Sequence, residues 1–301
     1  MEVEFVHEVI DVPTQLGAPT AKLNLAGPEP AYVRTSILRR GILGYGGFTA
    51  AALYALASRK PNGTFFDIGA NMGLYSALLG TSFPDLNIHA FEPFPGSCDN
   101  LAAIAATNGL DITLHRCAIS DSIGTASLTI SAQSDASHSL STRRHSGTGI
   151  IEVPTTTLDA LVRELGVVPD LIKVDVERHE PAVVRGGIST LTEHRPIVVI
   201  ELLGSRSEAD RALSTRKGAT LNPEARETRQ AFVQMGYTPQ RIKRPAHLDD
   251  TVGKGASHDF IMWPDEIDPD FDGIYAKWVD ALVELRDEMR TIRRQNILEG
   301  T

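Results

Sequence analysis

One segment constrains the fold more than any other: Phe65-Phe66-Asp67-Ile68-Gly69-Ala70-Asn71-Met72-Gly73-Leu74-Tyr75-Ser76. A short apolar run enters a glycine-containing turn and leaves it as a helix-forming stretch. Gly69 and Gly73 allow tight backbone geometry and the close approach of a ligand. The free N–H groups of the new helix favour a carboxylate or phosphate. The spacing is Gly-x-x-x-Gly, so the Gly-x-Gly-x-x-Gly dinucleotide fingerprint is not met, and no Lys-Ser/Thr follows to make a Walker A loop. Gly44-Tyr45-Gly46-Gly47 carries more glycine, but no strand precedes it and it reads as a flexible turn.

Around this segment, short apolar runs alternate with amphipathic stretches. Strands are expected at Thr64–Gly69, Asn87–Pro93, Ile112–Ser120, Leu171–Glu177, Pro196–Leu202, Tyr237–Lys243 and His258–Trp263. Helices are expected at Met72–Thr81, Gly96–Asn108, Leu158–Leu165, Glu180–Glu193 and Pro223–Met235. Such alternation implies right-handed βαβ crossovers and a mostly parallel sheet covered on both faces. Thr125–Ile130 and Ile150–Thr156 read as extra strands, a hairpin insertion. Between them Ser131–Gly149 is serine-rich, carries Arg143-Arg144 and lacks apolar periodicity; it reads as a solvated loop or as a lid over a substrate. The organisation is a cap over 1–61, with one helix near Phe48–Ser58, a main domain over 62–264 with its insert at 124–156, and a C-terminal helix within 265–301. In that helix Trp278, Leu282, Leu285, Met289 and Ile292 form a narrow apolar seam, suited to the parent domain or to a second copy as a homodimer.

Composition narrows the function classes. The 301 residues carry a net charge of −9, with 22% charged and 42% hydrophobic residues, as in an ordinary soluble globule. The acidic balance argues against a broad nucleic-acid or anionic-membrane surface. Cys98 and Cys117 make neither a disulfide framework nor a zinc signature. The start Met1-Glu2-Val3-Glu4 lacks the features of a signal peptide, and no stretch is apolar enough to span a membrane. A cytoplasmic location is expected.

The second strand ends in Phe91-Glu92-Pro93. An acidic residue about 20 positions beyond a glycine turn, at the next strand's end, is placed to accept hydrogen bonds from ribose hydroxyls. Asp67, the glycine turn and Glu92 together describe a site for a ribose-bearing cofactor.

Several motifs then resemble, in order, the FkbM family of S-adenosylmethionine-dependent methyltransferases. They are Asp67 to Ser76, Phe91-Glu92-Pro93-Phe94-Pro95, Ser139-Leu140, Thr157-Leu158-Asp159, Leu171-Ile172-Lys173-Val174-Asp175-Val176-Glu177, Glu180, Arg185-Gly186, Arg195-Pro196 and Glu201. The resemblance spans roughly 62–264. It implies a Rossmann-like class I methyltransferase fold, a seven-stranded sheet with a last antiparallel strand. It also implies methyl transfer from S-adenosylmethionine to a hydroxyl of a sugar, glycolipid or polyketide-type product. On that reading Asp67, Gly69, Asn71 and Gly73 surround the methionine end of the cofactor, Glu92 holds the ribose and Ala118 neighbours the adenine. Ser76, Pro93 and Asp175 join the cofactor-binding set. Arg178 stands where the family generally has glycine; either that turn differs or the arginine is recruited to the site.

Methyl transfer to oxygen is an in-line displacement at a sulfonium, so alignment dominates and can supply ~7–11 kcal/mol. A base that takes the hydroxyl proton adds ~10²–10⁴-fold. In extended chain, Asp175, Glu177 and His179 project to one side, and Glu201 at the end of the fifth strand could face them. Three readings compete. Asp175 shapes the cofactor pocket while Glu177 or His179 deprotonates the acceptor; or Asp175, Glu177 and Glu201 hold a divalent ion that orients a diol; or Glu177 and Glu180 are helix N-terminal charges. Two other classes share the features less well. An oxidoreductase or epimerase needs a denser glycine fingerprint and usually Tyr-x-x-x-Lys, and a non-catalytic scaffold is motivated by Arg178 alone.

Overall fold

Runs of β-branched and aromatic residues with no polar side to offer solvent must be covered on both faces. In the computed structural model they form a seven-stranded sheet in the order β11-β12-β10-β9-β3-β4-β5. The structure describes residues 8–17, 20–131, 138–140, 147–203, 221–248 and 258–299. The strands are β3 (Thr64–Ile68), β4 (Asn87–Phe91), β5 (Ile112–His115), β9 (Leu171–Val174), β10 (Ile197–Glu201), β11 (Thr238–Arg241) and β12 (Asp259–Trp263). All neighbours pair in parallel except β12, which is antiparallel to both β10 and β11. The chain winds outward from β3 through β4 to β5, then restarts at β9 on β3's other side. This topological switch point opens a crevice at the carboxyl ends of β3 and β9, the usual ligand position in such sheets.

Helices cover the two faces. On one lie α3 (Leu74–Ser82), α2 (Gly47–Ala57) and the C-terminal α8 (Phe271–Glu299). Helix α2, Gly-Phe-Thr-Ala-Ala-Ala-Leu-Tyr-Ala-Leu-Ala, is apolar all round, as befits a helix with no solvent face. It shares one core with Phe65, Leu171, Val199 and Ile261 of the sheet and with α8. Tyr54 of α2 stacks on Trp278 of α8 at 4.6 Å between ring centroids. Truncating a fully buried tryptophan of this kind costs ~3–5 kcal/mol. Trp278 and Leu282 of the C-terminal seam are thus used within the chain, whereas Ile292 is 54% exposed. The other face carries α5 (Leu158–Leu165), α6 (Glu180–Arg185) and α7 (Pro223–Gln234). Asn222 caps α7, its side chain accepting from Ala225 N, with Pro223 at the first helical position, where a missing N–H costs nothing. Helix α4 (Pro95–Asn108) follows β4.

The N-terminal segment contains more order than the single expected helix. A hairpin of β1 (Val9–Pro13) and β2 (Thr20–Asn24) precedes α1 (Tyr32–Arg40) and α2. Four other expectations are corrected. The strand expected over Ile112–Ser120 is two elements: after β5 the backbone folds back, Cys117 N donating to His115 O at 3.0 Å. Residues Ala118–Ser120 then form β6 of a second sheet. The insertion is therefore more than a hairpin: β7 (Gly124–Ser131) and β8 (Gly147–Thr157) are antiparallel, and β6 joins β8 in parallel to make three strands. The helix expected over Glu180–Glu193 stops at Arg185, because the chain passes against β6. A Cβ on Gly186 would lie 1.9 Å from the Ser120 carbonyl oxygen, and residues Thr190–His194 resume as a short π-helical turn. Strand β9 ends at Val174 rather than Glu177, for a reason taken up below. Among the described residues no helix is long and apolar enough to cross a membrane.

Candidate active site

The crevice at the switch point deepens into a cavity of about 310 Å³. Its first wall is the glycine turn after β3. Gly69, Asn71 and Gly73 have φ of 77°, 53° and 79°, the left-handed region that side chains other than Gly and Asn seldom enter. At Gly69 the reason is also contact: a Cβ there would sit 1.9 Å from the Asp175 carbonyl oxygen. The turns after β3 and β9 touch backbone to backbone.

Glu92 fastens this turn. One carboxylate oxygen accepts from Asn71 N at 2.9 Å and the other from Phe94 N at 2.8 Å. The side chain lines the cavity yet is only 7% exposed. Burial pushes its carboxyl up to about 7, against the pull of the two amides and Lys173. Gly69, Asn71, Glu92, Pro93, Ala118 and Asp175 all line the cavity, whereas Asp67, Gly73 and Ser76 do not. Asp67 is wholly buried behind the turn, where Ser76 Oγ donates to its Oδ2 at 2.7 Å. Its Oδ1 has no hydrogen-bond partner, and Lys173 Nζ stands 3.8 Å away. Burial raises the Asp67 carboxyl, with Lys173 acting against it.

The second wall is the turn after β9. Asp175, Glu177, His179 and Glu201 do line one cavity, but the extended-strand argument that grouped them does not hold. Glu177 and Arg178 take left-handed φ values of 53° and 81°. The chain therefore turns sharply after Val174, and the alternation of side chains along a strand ends with it. The turn is held by two fasteners. Ser139 Oγ, from the insert, donates to the Glu177 carbonyl at 2.6 Å. Glu180, 4% exposed, accepts from Val176 N at 3.3 Å and Arg178 N at 3.2 Å through one carboxylate oxygen. Burial raises its carboxyl to about 7. Arg178 thus occupies a glycine-type conformation, and its side chain is not on the cavity wall.

His179 Nε2 and Ser120 Oγ lie 2.9 Å apart, and burial lowers the imidazole below its ordinary range. Burial raises the Glu201 carboxyl strongly, with Asp175 and Asp259 adding to it. Among the described residues no group of three or more His, Cys, Asp or Glu side chains could hold a metal ion, so Asp175, Glu177 and Glu201 form no such group.

Sequence reasoning missed part of the wall. Lys173 lies within a quoted motif but had no role assigned. Its buried ammonium lies 3.3 Å from Asp175 and 5.0 Å from the Tyr75 ring centroid. Burial would lower its pKa, but Asp175 and Asp67 outweigh that and raise it. Asp259 was legible in principle: β12 is antiparallel, so an acid at its start reaches the edge where parallel neighbours end. Tyr45 and Thr49 come from the N-terminal segment and gave no signal. From the insert, His138 and Leu140 line the cavity, and the His138 ring lies 4.2 Å from that of Phe94. Residues 132–137 and 141–146 of the expected lid lie outside the described residues.

The methyltransferase FkbM domain model matches residues 67–239. A 31-O-demethyl-FK506 methyltransferase FkbM of Streptomyces tacrolimicus is 33% identical over 70 residues, covering 23% of this chain and 27% of the relative. The hexuronic acid methyltransferase AglP of Haloferax volcanii is 29% identical over 147 residues, covering 48% of this chain and 58% of the relative. The chain thus spans about a quarter of the first relative and somewhat over half of the second. Among solved structures, methyltransferase FkbM from Methylobacillus flagellatus KT aligns at a TM-score of 0.41 with 13% identity, over 76% of this chain and 60% of that one. A putative O-methyltransferase from Klebsiella pneumoniae aligns at 0.43 with 13% identity, over 79% and 92%. The family model covers more than half of the chain, in the region that carries both turns, and the protein belongs to the FkbM methyltransferase domain family.

Proposed function

We propose that the chain is an S-adenosylmethionine-dependent O-methyltransferase acting on a hydroxyl of a small-molecule or glycan acceptor, with residues 62–264 as the catalytic unit. The observation that carries this is the pairing of a Cβ-free glycine turn with a buried acid at the next strand's end, both on one cavity at the switch point. The residues fit the cofactor: Glu92 keeps lone pairs for two ribose hydroxyls after binding its amides, and Gly69 and Asn71 leave backbone open to a methionine end. When bound, S-adenosylmethionine supplies an activated methyl group. The relatives' names, a 31-O-demethyl-FK506 methyltransferase and a hexuronic acid methyltransferase, support oxygen as the methylated atom.

The chain's own task is alignment and proton removal. Asp175, fixed by Lys173, borders the cofactor side. Asp67 and Ser76 act from behind the glycine turn, as its support. His179 is the base we favour, with Glu177 beside it. Burial keeps the imidazole neutral near pH 7, and in the tautomer whose Nε2–H donates to Ser120 Oγ, Nδ1 keeps a lone pair for the acceptor proton. Mass spectrometry of hydroxyl-bearing acceptors incubated with labelled S-adenosylmethionine tests the function. A mass gain of one methyl on oxygen is expected, with an acidic limb in the pH–rate profile that His179→Ala removes. Label transferred to no acceptor, or only to nitrogen or carbon, overturns it.

A further inference from the structure

The glycine turn, Glu92, Pro93 and Ala118, assigned to the cofactor, line part of the cavity. Another part of its wall is built at the ends of β9, β10 and β12, together with Tyr45 and Thr49. Tyr45, Thr49 and Asp259 all lie outside the matched region 67–239, so part of this wall comes from the flanks of the family domain.

Its charge is lopsided. Glu201 and Asp259 are direct cross-strand partners in the β10–β12 pair, two acids side by side where like charges would destabilise a sheet, and burial with Asp175 and Asp259 close by keeps Glu201 protonated. A local rule broken in this way points to a use. Thr49 holds the pair in place, its Oγ1 donating to Asp259 Oδ2 at 2.6 Å. Asp175 and Glu177 add two carboxylates. Among the described residues on the cavity wall, Lys173 is the one permanent cation, and it is engaged with Asp175 and Asp67. Tyr45 and Tyr75 complete the wall. Burial, with Asp259 beside it, keeps the Tyr75 phenol protonated.

We infer that this end of the cavity selects uncharged, hydroxyl-rich acceptors and rejects carboxylated or phosphorylated ones, with Asp259, braced by Thr49, as a specificity-determining residue. Ionised carboxylates only accept hydrogen bonds, so they suit hydroxyl donors. Tyrosine rings offer an apolar face beside a polar tip, which matches a sugar ring. An anionic acceptor meets like charges in a desolvated pocket, a repulsive element of the kind that sets specificity. The inference rests on the methyltransferase reading.

The test uses the full chain with labelled S-adenosylmethionine and matched acceptors: methyl glucoside against methyl glucuronide, and methyl galactoside against methyl galacturonide. Cofactor binding is measured separately by calorimetry. The neutral member of a pair is expected to give kcat/KM at least tenfold higher. Asp259→Asn is expected to narrow that ratio by raising turnover of the uronides. Thr49→Val withdraws the hydroxyl that braces Asp259 and narrows the ratio in the same direction, should Asp259→Asn fold poorly. Equal turnover within pairs, a ratio unmoved by both variants, or methylation of no neutral member while cofactor binds, overturns the inference. Failure of the wild-type chain to bind cofactor overturns the proposed function instead.

Discussion

The turn after β3 and the turn after β9 lie against each other at the cavity, and both enter the left-handed region. The first does so at Gly69, Asn71 and Gly73, the second at Glu177 and Arg178. Both are laced by a buried glutamate, Glu92 for the first and Glu180 for the second. The first turn meets its geometry with local chemistry: glycines where a Cβ would collide, asparagine where a left-handed residue is tolerated. The second has no glycine and borrows a hydroxyl from the insert, Ser139, to hold Glu177. The difference teaches how one sheet edge can combine a turn written into its own few residues with a turn maintained from a distance. On our reading, the cofactor side belongs to the first and the acceptor side to the second.

The comparison breaks most visibly at Gly69. Gly69→Ala places a Cβ on the Asp175 carbonyl in a left-handed residue, and roughly 3 kcal/mol of stability should be lost. Denaturant unfolding and calorimetry with S-adenosylmethionine check this: stability and cofactor affinity should fall together. Ser139→Ala leaves the Glu177 carbonyl without its donor, at a cost of about 2 kcal/mol. Because only the second turn loosens, kcat should drop roughly tenfold or more while the cofactor Kd stays within about threefold. A cofactor affinity that collapses in this variant would merge two regions the account keeps apart.

The first turn was legible in the sequence and the second was not, for physical reasons. Gly69, Gly73 and Glu92 announce themselves because residue type and spacing alone dictate what their backbone can do. Glu177 and Arg178 carry no such mark in their own residue types, and only the glycine that the family generally has in place of Arg178 pointed to a turn, so a strand was continued through them. It grouped Asp175, Glu177, His179 and Glu201, which do line one cavity, from an incorrect geometry. The seven strands followed from the apolar runs and the antiparallel last strand from the family resemblance, whereas their order came from the structure. The β1–β2 hairpin, the separation of β6 from β5 and the Thr49–Asp259 contact did not, since each depends on partners far away in the chain.

Glu180 sharpens the comparison through pH. Its carboxyl is raised to about 7 in the fold, whereas an unfolded glutamate titrates near ~4.3. The folded chain therefore keeps a proton that the unfolded chain has released. This contribution to stability is full below about 4.5 and is lost as pH rises through about 7. Glu180→Gln keeps an acceptor oxygen without titrating, so the variant's stability profile should decline less over that window, by up to ~1.4 kcal/mol per pH unit. The His89–His115 pair, with ring nitrogens 3.0 Å apart and His115 lowered to about 4 by burial, works in the opposite sense. Both variant and wild type should lose its contribution as pH falls from ~6.5 towards 4. The smallest effect is expected at Arg178. Arg178→Gly relieves a left-handed arginine and should add about 1 kcal/mol, read as a rise of about 2 °C in Tm. A fall in Tm would mean that the side chain holds the turn and that its distant fasteners do not suffice.

The central claim is that the glycine turn and Glu92 form a cofactor site. Calorimetric titration of S-adenosylmethionine into the wild-type chain and into Glu92→Gln tests it most directly. The account predicts one site per chain in the wild type and affinity at least tenfold weaker in a folded Glu92→Gln. No binding to the wild type, or the same affinity in both, would contradict it.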